Sequence, residues 1–453
     1  MKKSISRVLF AVAAGLLVAA PCRAQFKLDT ITYAGSSKDY TDIVFLGDGF
    51  THSELSKFVK NVKEHTDYFL KKEPWNHYRE MFNVFCIQTA SNVSGAGMTP
   101  DAPIDNFYKT TFGCSGVDRM PWPTDMKKVI EVLGSTKPDY DLIIMLVNST
   151  KYGGAGNEYY KMMCLSLDGS SYETICHEAG HSFAGLADEY WYDRTEEHPN
   201  DARKINPVKW QRWVGYSGVS TYAFENTEGW YRPHQQCLMR YLDRDYCPVC
   251  REAIVERIHE TGKFVKSYSP VLESKYGKVH VEGDTVFSLN LVKLYPNTLR
   301  TEWYLDDIKV AKNTDSYLFK ADIHPEGSHI LKVTVEDTTQ LVRTANHSDV
   351  HLTTVKWRIS NEKTTGIRII ESQEYEFSVG PLPFTDELTF SRKQTSKDPV
   401  RMELYSLQGT QVAKGVFPGD APASLSTGNL PPGIYILRVY IGDDLIYSNK
   451  IQK

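Results

Sequence analysis

The sequence predicts a multidomain chain: an α/β domain, built as a mixed sheet plus one chemistry-bearing helix, followed by two all-β immunoglobulin-like sandwich modules. Three observations predict it. Apolar runs alternate with helical patterns from Lys27 to about Lys266, short alternating strands divided by turn residues take over from Ser267 to about Asn361, and a second alternating set fills 362–453. A length of 453 residues agrees with about three domains at ~150 residues each. With 41% hydrophobic and 24% charged residues, 30 Gly and 21 Pro, the composition excludes disordered, collagen-like and multi-span membrane chains. Tyr, at 27 copies against 8 Trp and 19 Phe, leans it toward β-rich domains or a surface that handles peptide or glycan.

Residues 1–24 read as a secretory signal peptide. Lys2, Lys3 and Arg7 precede an apolar run from Val8 to Ala20, and Cys22-Arg23-Ala24 offers small residues around a cleavage site after Ala24. The run is too short to span a bilayer, and no later stretch approaches ~20 apolar residues, so no membrane span is expected. A lipid anchor on Cys22 is the competing reading, disfavoured by Pro21 before it. The leader carries four of the 52 basic residues and no acid, so 48 bases face 56 acids in the remainder and its charge is −8 rather than −4. No basic field draws nucleic acid. Seven cysteines remain, and in an oxidising compartment a disulfide involving Cys237 is expected in preference to a zinc site at Cys247-Pro-Val-Cys250, which lacks a second ligand pair at ribbon spacing.

Within 25–266, Asp42 to Gly47 is a buried-strand pattern ended by Gly-Asp-Gly. Ser53 to about Phe69 has helical spacing with Ser53 as cap, Phe82 to Ile87 reads as a second strand, and Asp141 to Val147 as a third, central one. In the sandwich 267–361, Val279 to Val286, Arg300 to Leu305 and His329 to Val335 read as strands, and the polar Asn361 to Gly366 as a linker. Tyr375 to Val379, Val400 to Tyr405 and Gly433 to Tyr440 supply the strands of the last module, 362–453.

The strongest chemical signal is Thr174-Ile-Cys-His-Glu-Ala-Gly-His-Ser-Phe-Ala-Gly-Leu-Ala-Asp-Glu-Tyr190. On a helix, His177 and His181 lie only ~40° apart around the axis, so both imidazoles can reach one Zn²⁺ while Glu178 projects beside the open position as general base. A catalytic zinc needs a third protein ligand. Asp188, seven residues past His181, would lie ~10 Å further along an unbroken helix, so the helix must end first, and Gly185 can turn the chain back. Glu189 and His198 are the alternatives to Asp188. Metzincin-type peptidases are similar: a Gly follows their second His and a ligand comes three residues later. Here one residue is inserted before the Gly. Such peptidases pass a Met-containing turn beneath the metal, and Cys237-Leu-Met-Arg-Tyr241 resembles it, with Met239 as the soft residue and Tyr241 (or His234) as the group that would meet the oxyanion. Their substrates add as a strand to an edge of the sheet. Tyr152, Gly153 and Gly154, in the Gly-rich stretch after the central strand, are the candidate edge.

Gly-Asp-Gly-Phe50, Phe82-Asn-Val84, Tyr152-Gly-Gly154, the long histidine motif, Tyr231-Arg-Pro233 and Cys237-Leu-Met239 together resemble the IgA-peptidase family of zinc metalloendopeptidases. The resemblance implies a metzincin-like zinc peptidase domain with one catalytic Zn²⁺, acting as a monomer on a protein or glycoprotein substrate. Immunoglobulin A itself does not transfer automatically, and calcium is left unassigned. Gly380 to Leu388, Glu403 to Val412 and Leu430 to Arg438 resemble the C-terminal sorting domain that Bacteroidetes use for type IX export, which implies an exported chain, in the periplasm, on the cell surface or secreted. A spacer or carbohydrate-binding sandwich is the competing reading there. Two other function classes compete: a surface glycan- or protein-binding module with a structural zinc, and a serine hydrolase, for which no Gly-x-Ser-x-Gly is present and Gly215-Tyr-Ser-Gly218 falls short.

Overall fold

The computed structural model describes residues 26–190, 195–225, 227–271, 278–345, 351–362, 368–372, 377–392, 398–442 and 444–453. The signal-peptide assignment, with Cys22, lies outside them, as do Tyr375 and most of the expected linker. The chain divides into two compact units. One runs to Lys266 and includes 291–300 and 335–353; the other comprises 267–290, 301–334 and 354–453.

The first unit is built on a six-stranded mixed sheet of β1 (Lys27–Thr32), β2 (Thr41–Asp48), β3 (Phe82–Gln88), β4 (Leu142–Val147), β5 (Gly154–Asn157) and β6 (Met162–Ser166), in the order β1-β3-β2-β4-β6-β5. The four inner strands are parallel and the two outer ones run antiparallel to their neighbours. Every residue of β2 and β4 is buried, and the apolar runs Ile43–Leu46 and Leu142–Val147 at their centres are covered on both faces. Two helices, α1 (Leu55–Phe69) and α2 (Met126–Thr136), flank the sheet, and on one face Val44, Leu46, Phe85, Ile87, Ile143 and Met145 pack against Val129, Val132 and Leu133 of α2. On the other face α1 lies so close that a Cβ on Gly47 would fall 2.8 Å from the Phe58 ring. Helices α3 (Ser171–Ala184) and α4 (Pro248–Thr261) complete the unit, with α3 in contact with α1, α4, β5 and β6.

Local departures from expectation have local causes. The cap is Thr51 and not Ser53: Thr51 opens a short 3-10 turn, His52–Glu54, that leads into α1, and the Glu54 carboxylate accepts its backbone N–H and hydroxyl, both at 2.9 Å, closing a capping box two residues earlier. Val279 to Val286 is not one strand but two, Lys278–His280 and Thr285–Leu291, split at Glu-Gly-Asp284; the second turns Phe287 and Leu289 inward and leaves Val286 exposed. Asn361 is no linker residue. Its side chain accepts from Gly327 N–H at 2.8 Å and donates to Pro325 O at 3.0 Å. The expected disulfide at Cys237 is absent, and all seven described cysteines are free thiols.

Strands lying mostly in the second unit form a three-stranded sheet (Val265–Ser269, Thr285–Leu291, Ser316–Phe319) and a five-stranded sheet (Lys278–His280, Leu299–Leu305, Ile308–Lys312, Ser328–Asp337, Leu352–Ser360), and within that unit Phe287, Trp303 and Trp357 pack together. The two indoles stack at 5.8 Å with planes 6° apart, and Phe287 meets Trp357 edge-on at 5.3 Å. The C-terminal strands form two four-stranded sheets around Val379, Phe390, Met402, Leu404, Leu437 and Val439. No helix among the described residues is long and apolar enough to cross a membrane.

The parallel strands end in a buried polar knot. The Asp48 carboxylate accepts Gly49 N–H (2.9 Å), Tyr108 N–H (3.1 Å), Thr110 N–H (3.0 Å) and the Ser91 hydroxyl (3.2 Å), which ties the loop after β3 to the sheet. Asp48→Ala strands those donors in the interior. The expected cost is about 3 kcal/mol or more, read as a lowered denaturant midpoint at unchanged slope.

Candidate active site

Helix α3 is buried on nearly all sides from Thr174 to Phe183, so its polar residues have to be satisfied within the protein. It stops at Gly185, whose φ of +60° is left-handed; Gly185 N–H donates to His181 O at 3.1 Å and Leu186 N–H reaches back to Gly180 O at 2.9 Å. The chain then doubles back. It brings Asp188 Oδ1 to 3.1 Å from Nε2 of both His177 and His181, while those two nitrogens lie 3.2 Å apart.

The backbone fixes the protonation of both rings. His177 Nδ1 donates to Leu238 O at 2.9 Å and His181 Nδ1 to Leu186 O at 2.6 Å, because a carbonyl can only accept. In their neutral form the rings therefore point two Nε2 lone pairs, with a carboxylate oxygen, at one spot. Three acceptors cannot satisfy one another; they need a proton or a cation between them. Burial opposes charge on His177, yet the hydrogen bond and charge of Asp188, with Glu178, outweigh it and raise the ring to about 9. Burial likewise opposes the Asp188 charge, and the His181 and His177 rings overcome it and hold that carboxyl well below its usual range. Ligand atoms ~2.0–2.1 Å from a tetrahedral Zn²⁺ sit ~3.3 Å apart, close to the separations found. The residues fit such an ion.

Glu178 occupies the next position on the helix, buried, with its carboxyl raised by that burial against the pull of the two histidines. It lines a cleft of about 170 Å³ with Arg119, Tyr152, Thr174, His177, Tyr190, Arg240 and Leu242. Edge strand β5 passes directly beside it: a Cβ on Gly154 would lie 2.5 Å from Thr174 Cγ2 and 2.7 Å from Glu178 Oε1. Gly153 is small for another reason, since its Cβ would meet Arg119 O at 2.2 Å. Tyr152 precedes β5 and is 44% exposed.

The other expected residues separate. Met239 is fully buried under α3, where a Cβ on Gly180 would fall 2.6 Å from its sulfur. Tyr241 is 42% exposed, its ring against the Arg240 guanidinium, and it is not among the cleft-lining residues. His234 Nε2 faces Ser217 O at 3.1 Å, and His198 Nδ1 faces Gly185 O at 3.0 Å. Glu189 turns away from the histidines toward Cys250 and Asn200. Sequence reasoning missed Tyr190 and Arg119. Arg119 Nη2 donates to the Tyr190 hydroxyl at 3.1 Å, and burial, with the Asp188 charge, raises the Tyr190 phenol, so that it keeps its proton. Tyr190 ends the histidine motif and could have been weighed; Arg119 lies in a loop with no local signature.

Filling Gly154 with Ala is expected to cost about 1–3 kcal/mol by overpacking Thr174 and Glu178, measured as a drop in the thermal midpoint, whereas Gly134→Ala, with open space around it, is expected to cost nothing.

Residues 30–212 match the family model described as IgA Peptidase M64, a span that contains His177, Glu178, His181 and Asp188 and stops short of Met239. Residues 378–453 match the model of a secretion system C-terminal sorting domain. No curated protein matches the chain. Solved structures overlap it weakly. A Bacteroides ovatus glucan-locus protein, SGBP-B, in complex with a mixed-linkage heptasaccharide is 11% identical over 41% of this chain and 47% of that one, with a TM-score of 0.16; the chain thus spans about half its length. Fibronectin(III)-like modules of Clostridium thermocellum CbhA are 14% identical over 41% and 90%, at 0.18, and a Parabacteroides merdae β-glucuronidase 8% over 45% and 26%, at 0.19. Overlaps at such scores assign neither fold nor activity. Residues 30–212 are thus similar to the IgA Peptidase M64 family, which supports a metallopeptidase function, and residues 378–453 carry a sorting domain that marks the chain for export to the cell surface or secretion.

Proposed function

We propose that the chain is a zinc-dependent endopeptidase that hydrolyses peptide bonds of host or dietary proteins and glycoproteins, with immunoglobulin A one candidate by family name alone. The observation that carries this reading is the convergence of two imidazole lone pairs and one carboxylate oxygen beside a buried glutamate on the same helix. His177, His181 and Asp188 would hold the ion. When bound, zinc supplies Lewis acidity that polarises the scissile carbonyl and lowers the pKa of water beside it.

The chain's own residues do the rest. Glu178, held against the edge of β5 with little access to bulk solvent, takes a proton from the attacking water and passes it to the leaving amine. The substrate backbone aligns along the outer edge of β5, next to Tyr152 and Arg119, so that its carbonyl arrives between Glu178 and Tyr190. Tyr190, always protonated and steered by Arg119, donates to the developing oxyanion, the role that sequence reasoning gave to Tyr241. Leu238 O acts through His177 by fixing the ring beneath the ion, while Met239 packs against Gly180 of the same helix.

Glu178→Ala is expected to keep its metal and lose proteolysis of a casein or glycoprotein substrate, while Asp188→Ala loses metal at least ~10-fold more readily; equal turnover by the Glu178 variant would overturn the reading. Tyr190→Phe is expected to lower kcat about 10²-fold and Tyr241→Phe to leave it nearly unchanged, and the reverse order would return the role to Tyr241.

A further inference from the structure

A second cluster of ligand-type side chains lies beside the active site and takes no part in its chemistry. Glu189, Cys237, Cys247 and Cys250 each offer one atom, all within 4.8 Å of one another, and all four residues are buried. They come from three segments: Glu189 from the turn after Gly185, Cys237 from two residues before Met239, and Cys247 and Cys250 from the N-terminal end of α4. We propose that these four residues hold a second, structural zinc ion.

Geometry carries the proposal. Cys250 Sγ lies 3.7 Å from Cys237 Sγ, 3.6 Å from Cys247 Sγ and 3.3 Å from Glu189 Oε1. Sulfurs ~2.3 Å from a tetrahedral Zn²⁺ are ~3.8 Å apart, and a sulfur and a carboxylate oxygen ~3.5 Å apart, so the spacings found are those of a ligand shell drawn slightly inward. A disulfide places its sulfurs ~2.05 Å apart, and Cys250 stands almost equally far from both candidate partners. Pairing any two would also leave a third thiol and a carboxylate facing each other with nothing between them.

The surroundings are those of an anion-rich site in need of a cation. Glu189 is fully buried; Oε1 accepts from Asn200 Nδ2 at 3.0 Å, and Oε2 has no hydrogen-bond partner. A buried carboxylate oxygen without a partner is costly, and among the described residues no Lys or Arg is bonded to it. Cys247 N–H points at Cys237 Sγ at 3.4 Å, the kind of amide-to-sulfur contact that favours a thiolate, and the start of α4 adds its positive helix end. Cys247 and Cys250, three apart across a helix start, supply two ligands from one turn; Cys237 and Glu189 complete a closed four-ligand set, which leaves no position for water and therefore makes the site structural rather than catalytic.

The ion would pin the turn that presents Asp188 and the turn that presents Met239 to the same helix. Glu189 N–H already donates to Met239 O at 2.8 Å, so the two turns are joined by backbone and, through this site, by metal. That consequence rests on the reading of Asp188 as a ligand; the existence of the site does not.

The test uses the full exported chain. Zinc is counted by mass spectrometry in the parent protein, in His177→Ala/His181→Ala and in Cys237→Ser/Cys250→Ser, and the first variant is examined by X-ray absorption. Two equivalents in the parent, one in each double variant, and about three sulfur scatterers near ~2.3 Å in the histidine variant are expected. A histidine variant devoid of zinc, or an intact mass lower by two hydrogens with Cys250 mapped to a disulfide, would overturn the proposal whether or not the protein cleaves peptides. Should the cysteine variant fail to fold, thiol titration of the parent with a mercurial replaces it: one equivalent of zinc released as three buried thiols react supports the site, and no zinc released overturns it.

Discussion

The structure depends on a single change of backbone direction. An α-helix that carried on past His181 would carry Asp188 away at ~1.5 Å per residue, and no side-chain length could recover the distance. At Gly185 the chain takes a left-handed conformation that any Cβ would penalise, and within three residues the carboxylate stands 3.1 Å from both imidazoles. The same turn delivers Leu186 O to His181 Nδ1, so the stop that recruits the third acceptor also fixes which nitrogen of the second one is free.

Around that turn the packing is close enough to leave few options. Gly154 and Gly180 admit Glu178 and Met239 to positions that a methyl group would occupy. Leu238 O holds His177 from the far side, and the aromatic group of Trp75, Phe82 and Phe183 backs the helix where it meets the sheet. A site held by carbonyls and close packing loses little when substrate arrives, which is what a reaction limited by geometry requires.

Much of this was legible in the sequence because its signals are local. The runs Asp42 to Gly47, Phe82 to Ile87 and Asp141 to Val147 are mostly apolar, as strands buried on both faces are, and they became β2, β3 and β4. The spacing of His177, His181 and Gly185 encodes both a helix face and its end. What escaped was set by distant partners. Arg119 meets Tyr190 across 71 residues, and nothing near Arg119 announces it. Ser53 and Thr51 are both good caps, and only the reach of Glu54 chooses between them. The disulfide at Cys237 was a compartment argument, and it yields to the way three sulfurs and a carboxylate share one buried space.

Asp188 and Glu189 show why composition could not separate the two sites. They are neighbours of the same chemical type, and either would serve as a third ligand on paper. Once Gly185 has turned the chain, consecutive side chains leave the backbone on opposite sides: Asp188 toward the histidines, Glu189 toward Cys250 and Asn200. The Glu189 N–H bonded to Met239 O holds the peptide between them at a fixed rotation, so neither carboxylate can take the other's place without breaking that bond. Two adjacent acids thus face two different centres because one amide hydrogen has a single partner. A substitution at position 189 should therefore be felt at 188 through the backbone and not through charge.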